Sequence, residues 1–460
     1  MDEFSGKTVL VMGLGRFGGG LGVTRWLCGR GATVVLTDLA GQSELGEPLA
    51  GLRDLVESGR LVLRLGGHDE RDFATADLVV ANPAVPSPWT SPFLAAAARA
   101  GRPITTEIRL AVERLDRERV IGITGTAGKS TTSAMTAHIL AALGRRVRLG
   151  GNIGGSLLND VEPIAADELV VLELSSFMLH WLGERAGALA AGSPSSGRRP
   201  VDASSGWSPH WAAITNIAPN HLDWHGSFEH YRESKLNILR DQRRGDLALV
   251  GDGDPEIPRE IGAPATTTLR PIDLEIAALD VPLRVPGAHN RANARLAVAL
   301  AIATTGCSPR DAADALHDFA GLPHRLELVV DVDGRRVYND SKSTTPDATL
   351  RAIGAFEDPS RLHLIAGGYD KGADLAPIAA VADRLGGLYT IGATGRALAG
   401  TRPDRHFETL DRAVEAALAR LSRGDVLLLS PGCASWDQFI NYEKRGERFA
   451  ALVKRAMGAG

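Results

Sequence analysis

The chain has 460 residues and a formal net charge of −4, from 51 Lys+Arg against 55 Asp+Glu, with 44% hydrophobic and 23% charged residues. That balance excludes a strongly basic nucleic-acid binder, and the length suggests about three domains. Glycine is in excess, 52 residues without a repeat period, which fits tight turns and close backbone approaches to a ligand rather than collagen.

Cys28, Cys307 and Cys433 lie far apart without metal-ligand spacing, so neither a disulfide scaffold nor a structural zinc site is expected, and a reducing compartment is. The opening Met1-Asp-Glu-Phe-Ser-Gly-Lys7 has no secretory-leader character, and no apolar run is long enough to span a bilayer. A cytoplasmic protein with no nucleic-acid or membrane partner is expected.

In chain order, the first apolar run, 7–12, ends in Gly13-x-Gly15-x-x-Gly18, and a helical pattern continues through Trp26 and Leu27. A second run, 32–38, closes on Asp38, 20 positions after Gly18. Strand, glycine turn, helix and strand with a terminal acid form the dinucleotide-type βαβ pattern, which favours a nucleotide without saying which. Short apolar runs at 61–65 and 77–81 extend a mainly parallel sheet.

A second start, 119–124, runs into Gly125-Thr-Ala-Gly-Lys-Ser-Thr131 and then a helical stretch from Thr132 to Leu143. Glycines let backbone N–H groups turn around phosphate oxygens, and the helix presents its positive end to the same anion. Lys129 would reach the terminal phosphates, and Ser130 or Thr131 would offer a hydroxyl to Mg²⁺. Ile123 occupies the place of the first glycine of the strict phosphate-loop spacing. Strands are expected at 168–174 and 211–216. Segment 187–208, rich in Ala, Gly, Ser and Pro, reads as a flexible surface insertion. A third block begins near Leu326, with strands expected at 336–338, 362–366, 388–391 and 426–429. The fold class is α/β, with three consecutive α/β domains. These are a Rossmann-like N-terminal domain (1–115), a central P-loop ATPase-like domain (116–321) and a C-terminal Rossmann-like domain (322–460).

Further motifs follow the phosphate loop. They are Gly151-Asn-Ile-Gly154, Leu172-Glu-Leu-Ser-Ser-Phe177, Thr215-Asn-Ile-Ala-Pro-Asn-His-Leu-Asp223 and Tyr231-Arg-Glu-Ser-Lys235. Next come Gly287-x-His-Asn290, Leu322-Pro-His-Arg-Leu-Glu327, Asn339-Asp-Ser-Lys342, Ile365-Ala-Gly-Gly-Tyr-Asp-Lys371 and Leu429-Ser-Pro-Gly-Cys-Ala-Ser-Trp-Asp-Gln-Phe439. In kind and order these resemble the Mur ligases, ATP-dependent amino-acid ligases of peptidoglycan precursor synthesis, and specifically their D-glutamate-adding branch. The likeness covers nearly the whole chain.

The resemblance implies a reaction in which an acceptor carboxylate takes the γ-phosphoryl group of ATP and an incoming amine displaces phosphate from the acyl phosphate. The implied partners are UDP-N-acetylmuramoyl-L-alanine and D-glutamate, the implied cofactors ATP and Mg²⁺, and a monomer is expected. Catalytic roles would fall to Lys129, Glu173, His221, Lys235 and Lys342. Ser130, Glu173 and His221 would hold metal, joined by Lys235 if it is carbamylated. ATP would be bound by Gly125, Thr126, Gly128, Lys129, Ser130, Thr131, Asn290, Arg325 and Asp340. Leu14, Gly15, Arg16, Phe17, Thr37, Asp38 and Asn152 would meet the UDP-substrate. Thr344, Lys371, Ser435 and Tyr442 would meet the amino acid. Ala127 stands where the family usually has asparagine, so a side chain that braces the loop is missing there. The competing readings are a related ligase adding L-glutamate or another amino acid, a nucleotide binder without ligase activity, and a dehydrogenase. The last rests on the first glycine turn alone.

Overall fold

A computed structural model describes the chain except residues 1–2, 16–17, 154–155, 159–163, 166, 184–205, 252–266, 275, 277–280, 282 and 459–460. All but the last three residues of the expected 187–208 insertion therefore lie outside the described residues.

The first sheet is built from β1 (Thr8–Met12), β2 (Thr33–Asp38), β3 (Leu61–Leu65), β4 (Leu78–Ala81) and β5 (Ile104–Thr105). All pairings are parallel, in the order β3-β2-β1-β4-β5. The second sheet takes β6 (Val120–Thr124), β7 (Val147–Gly151), β8 (Leu169–Glu173), β9 (Trp211–Ile214), β10 (Leu247–Val250) and β11 (Thr267–Leu269). It too is parallel, in the order β11-β10-β9-β6-β8-β7. The third takes β12 (Glu327–Val332), β13 (Arg335–Asn339), β14 (Leu362–Gly367), β15 (Gly387–Ile391), β16 (His406–Glu408) and β17 (Val426–Leu429). Its order is β12-β13-β17-β14-β15-β16, and only the β12–β13 pair is antiparallel.

Central strands are apolar throughout because helices cover both faces of a parallel sheet. Val120–Thr124, Val426–Leu429 and Leu362–Gly367 are buried at every position. In the first two sheets the strand order reverses at β1 and at β6, and each of these strands runs straight into a glycine turn. The crevice beyond such a reversal is where open α/β sheets take ligands.

The chain forms two compact units, residues 1–279 with 293–313 and residues 280–292 with 314–460. The first holds the first two sheets and the second holds the third. Among the described residues, no helix is long and apolar enough to cross a membrane.

Candidate active site

The phosphate loop leaves β6 and enters the helix Lys129–Ala142, with Gly128 as a left-handed N-cap at φ 84°. Gly125 has φ 149°, and a Cβ there would collide with Thr215 Oγ1. A Cβ at Gly128 would strike Asn293 Oδ1. Both positions thus require glycine for conformation and for space. Lys129 Nζ is folded back on its own loop, donating to Gly125 O and Thr126 O at 3.0 Å each. Thr126 Oγ1 accepts from Ala218 N at 2.9 Å and lies 2.8 Å from the Tyr231 hydroxyl.

The bracing that Ala127 cannot provide comes from the segment that follows β9, the strand beside β6. Thr215 Oγ1 and Asn216 Nδ2 donate to Ala127 O at 2.6 and 3.0 Å, and Ala127 N donates to Asn216 Oδ1 at 3.0 Å. The loop is therefore held through its backbone.

Glu173 ends β8, beside β6 and β7, and is 2% exposed. Its Oε1 accepts from Asn152 Nδ2 at 2.9 Å, while its buried Oε2 has no hydrogen-bond partner. A buried carboxylate oxygen left open is costly unless something positive or hydrogen-bonding completes it. An open carboxylate oxygen of this kind is a ligand that a hard divalent cation takes.

Lys235 sits in the helix Phe228–Arg240 and is 1% exposed. Its Nζ donates to Gly125 O at 2.7 Å, the carbonyl that Lys129 also uses, and lies 4.8 Å from the Tyr231 ring centroid. Burial above all, and then the charge of Lys129, push its pKa well below the ordinary lysine value, while Glu173 opposes them. His221 has a left-handed backbone, φ 51°, and packs edge-on to Phe177 at 5.0 Å. Burial is the main cause of its lowered pKa, opposed by Asp223 and reinforced by Lys129 and Lys235.

A cavity of about 300 Å³ adjoins this centre. Its walls include the glycine turn after β1, Asn82 after β4, Glu107, and Asn152, Ser156, Ser175 and Phe177 from the second sheet's loops. Of the expected UDP-substrate residues, Leu14, Gly15 and Asn152 line it. Thr37 and Asp38 are engaged by the protein's own groups. Thr37 is fully buried, with Oγ1 donating to Gly67 O at 3.0 Å. Asp38 accepts from Leu14 N and Ala40 N at 2.9 Å each, so it shapes the glycine turn. Arg16 and Phe17 lie outside the described residues. The structure also places Tyr231, Asn216, Glu107 and His225 at this centre, which the sequence left unassigned. His225 Nε2 lies 3.0 Å from Ser176 Oγ and its ring stacks on Phe177 at 5.7 Å. Burial, aided by His230, drives its pKa down to about 3.

In the second unit, Asp340 follows β13 and is 5% exposed. It accepts from Leu326 N, Ser343 Oγ and Ser430 Oγ at 3.2, 2.6 and 2.8 Å. Burial raises its pKa to about 6 against these bonds and the charge of Arg325. Arg325 is exposed between His324 and Leu326, both with positive φ. Lys342 Nζ lies 5.4 Å from the Tyr442 ring centroid, and Lys371 Nζ 4.3 Å from that of Trp436. Ser435 is buried, and Thr344 is half-buried just after the Ser341–Ser343 turn. Asn290 is 4% exposed and its Nδ2 donates to Pro286 O at 2.6 Å.

Arg445, missed in the sequence because a lysine- and arginine-rich C-terminal helix reads as a solvated face, is 1% exposed. It donates to Ser341 Oγ and O, Cys433 O and Ala434 O at 2.9–3.1 Å, tying the Asn339-Asp-Ser-Lys342 turn to the Ser435 loop. Its burial lowers its pKa to about 10. Arg445→Met should cost roughly 3 kcal/mol, because the carbonyls of Ser341 and Cys433 lose their side-chain donor and Ala434 O keeps only Tyr369 N–H. The midpoint of denaturant unfolding is the check, and an unchanged midpoint would contradict this role.

Models of the Mur ligase middle domain and of the Mur ligase glutamate ligase domain match residues 123–270 and 324–433. The chain is similar to the UDP-N-acetylmuramoylalanine–D-glutamate ligase of Geobacter metallireducens, at 38% identity over 100% of this chain and 99% of that protein. It is also similar to the protein of the same name from Pelotomaculum thermopropionicum, at 35% identity over 98% of each. The crystal structure of UDP-N-acetylmuramate–alanine ligase from Thermotoga maritima shares its fold, with a TM-score of 0.56 at 20% identity over 98% of this chain and 100% of that one. With three α/β sheets in series and full-length relatives well above 30% identity, the chain belongs to the Mur ligase family.

Proposed function

We propose that the chain is an ATP-dependent, ADP-forming ligase that adds D-glutamate to UDP-N-acetylmuramoyl-L-alanine through an acyl phosphate, the reaction its full-length relatives are named for. The observation that carries this is the meeting of Lys129, Lys235 and the open oxygen of Glu173 at the phosphate loop. The Lys129 ammonium, with a cation held at the Glu173 carboxylate and the Lys235 position, suits a step in which anionic oxygens converge.

In this reading the cavity takes the acceptor, with its diphosphate on the turn around Leu14 and Gly15 and its acyl end toward Asn152. Lys129 exchanges its two loop carbonyls for terminal phosphate oxygens. Mg²⁺, held by Ser130, Glu173, His221 and a carbamylated Lys235, would neutralise charge on the phosphates. The acceptor carboxylate attacks the γ-phosphorus and ADP leaves. The amino group of glutamate then attacks the acyl carbon, loses a proton, and phosphate leaves. Asn290, Arg325 and Asp340 would serve ATP. Lys342 would act as a catalytic lysine, and Thr344, Lys371, Ser435 and Tyr442 would orient the amino acid, a lysine and hydroxyls matching its two carboxylates. The division into domains 1–115, 116–321 and 322–460, a cytoplasmic location and a monomeric state belong to the same proposal.

Phosphate release from ATP with the UDP-sugar acceptor and a panel of amino acids tests it. D-glutamate should support turnover and L-glutamate should not. Turnover with L-glutamate alone would favour the related-ligase reading.

A further inference from the structure

Glu107 is a carboxyl that the reaction above does not use. It opens the helix Glu107–Val112, directly after β5, and it lines the same cavity as the glycine turn and Asn152. Among the described lining residues it is the one carboxylate, and the polar side chains around it, Asn82, Asn152, Ser156 and Ser175, are uncharged. Ser156 Oγ donates to Glu107 Oε1 at 2.7 Å. Burial raises the pKa of Glu107, while the Ser156 hydroxyl and the Leu157 N–H oppose the rise. No cation is among the groups that shift it.

A carboxyl so placed is a poor neighbour for a phosphate or a second carboxylate, since no cation lies among the described residues that line the cavity. It is a good acceptor for an uncharged N–H or O–H. A site built around a buried hydrogen-bonding group rejects ligands that leave that group unmatched. We infer that Glu107 is a specificity-determining residue of the cavity. It accepts a hydrogen bond from an uncharged N–H or O–H in the amide-and-sugar portion of the acceptor and disfavours analogues that place an anion there. This rests on the reading that the cavity takes the acyl acceptor.

A purely structural brace of the 156–158 turn would behave differently. In Glu107→Gln the side-chain oxygen can still accept from Ser156, while the NH₂ that replaces the other oxygen meets the ligand's donor head-on. Titration calorimetry with UDP-N-acetylmuramoyl-L-alanine and with UDP alone separates the two roles. The expected result for Glu107→Gln is about tenfold weaker binding of the full acceptor with UDP binding as in wild type. Ser156→Ala, which removes only the brace, should weaken acceptor binding far less. Acceptor binding unchanged in Glu107→Gln, equal weakening of UDP, or Ser156→Ala reproducing the whole loss would each overturn the inference. If Glu107→Gln does not fold, Glu107→Asp supplies the same comparison, because its shorter carboxyl can satisfy the turn or the ligand but not both. Wild-type protein that binds UDP but not the acceptor would instead overturn the functional reading, and this inference with it.

Discussion

Lys235→Ala should reduce ligase turnover by about a hundredfold to a thousandfold, and a small carboxylic acid such as formate or acetate should restore part of it. The magnitude is that of removing one preorganised group from a charged transition state. Rescue follows from the environment of the amine. Lys235 is 1% exposed, and burial together with Lys129 holds its pKa well below the ordinary lysine value. A neutral amine can attack CO₂. The new N–C bond gives a carbamic acid, which releases its proton and leaves an anionic carbamate beside Gly125 and within the field of Lys129. That anion is what an added carboxylate would replace. Sensitivity to dissolved CO₂ should accompany the wild-type activity. Full activity of Lys235→Ala, or a loss that no carboxylate relieves, would contradict the carbamate.

The second large effect concerns Glu173. Glu173→Gln should lower turnover by about a hundredfold or more, since it removes a negative charge from the cation-binding donor set. It should at the same time leave the thermal midpoint of the ligand-free protein unchanged or raise it. Glu173 Oε2 is buried without a partner, and the Asn152 bond to Oε1 survives in the amide. Groups kept costly for function show this opposition of stability and activity. Lower stability together with full activity would mean that Glu173 is a structural strand-end residue.

Much of the architecture was legible because parallel strands announce themselves as continuous apolar runs. The runs at 7–12, 32–38, 61–65, 119–124 and 426–429 all became strands. Two of those that escaped are short or interrupted. Val147–Gly151 contains an arginine and two glycines, and His406–Glu408 is a three-residue edge strand at the rim of its sheet. Burial, which would have marked them, depends on neighbours far away in sequence. The phosphate loop was legible in its glycines, but its bracing was not. Asn216 and Thr215 act through Ala127's backbone, and no side-chain pattern encodes that. Asp38 shows the converse. The pattern marked it as a ligand contact but did not show its structural role, in which both its oxygens accept from the backbone of the glycine turn and of Ala40. Arg445 and Glu107 were invisible for a common reason. A charged residue at a helical spacing is usually solvated, and only the packed structure distinguishes the exception.

The most direct test of the central claim is product analysis by mass spectrometry of wild-type protein with ATP, Mg²⁺, D-glutamate and UDP-N-acetylmuramoyl-L-alanine. The expected result is the acceptor joined to one glutamate with loss of one water, formed in step with one ADP per product and absent when any substrate is omitted. ADP release that does not depend on the amino acid, or no joined product at all, would contradict the account.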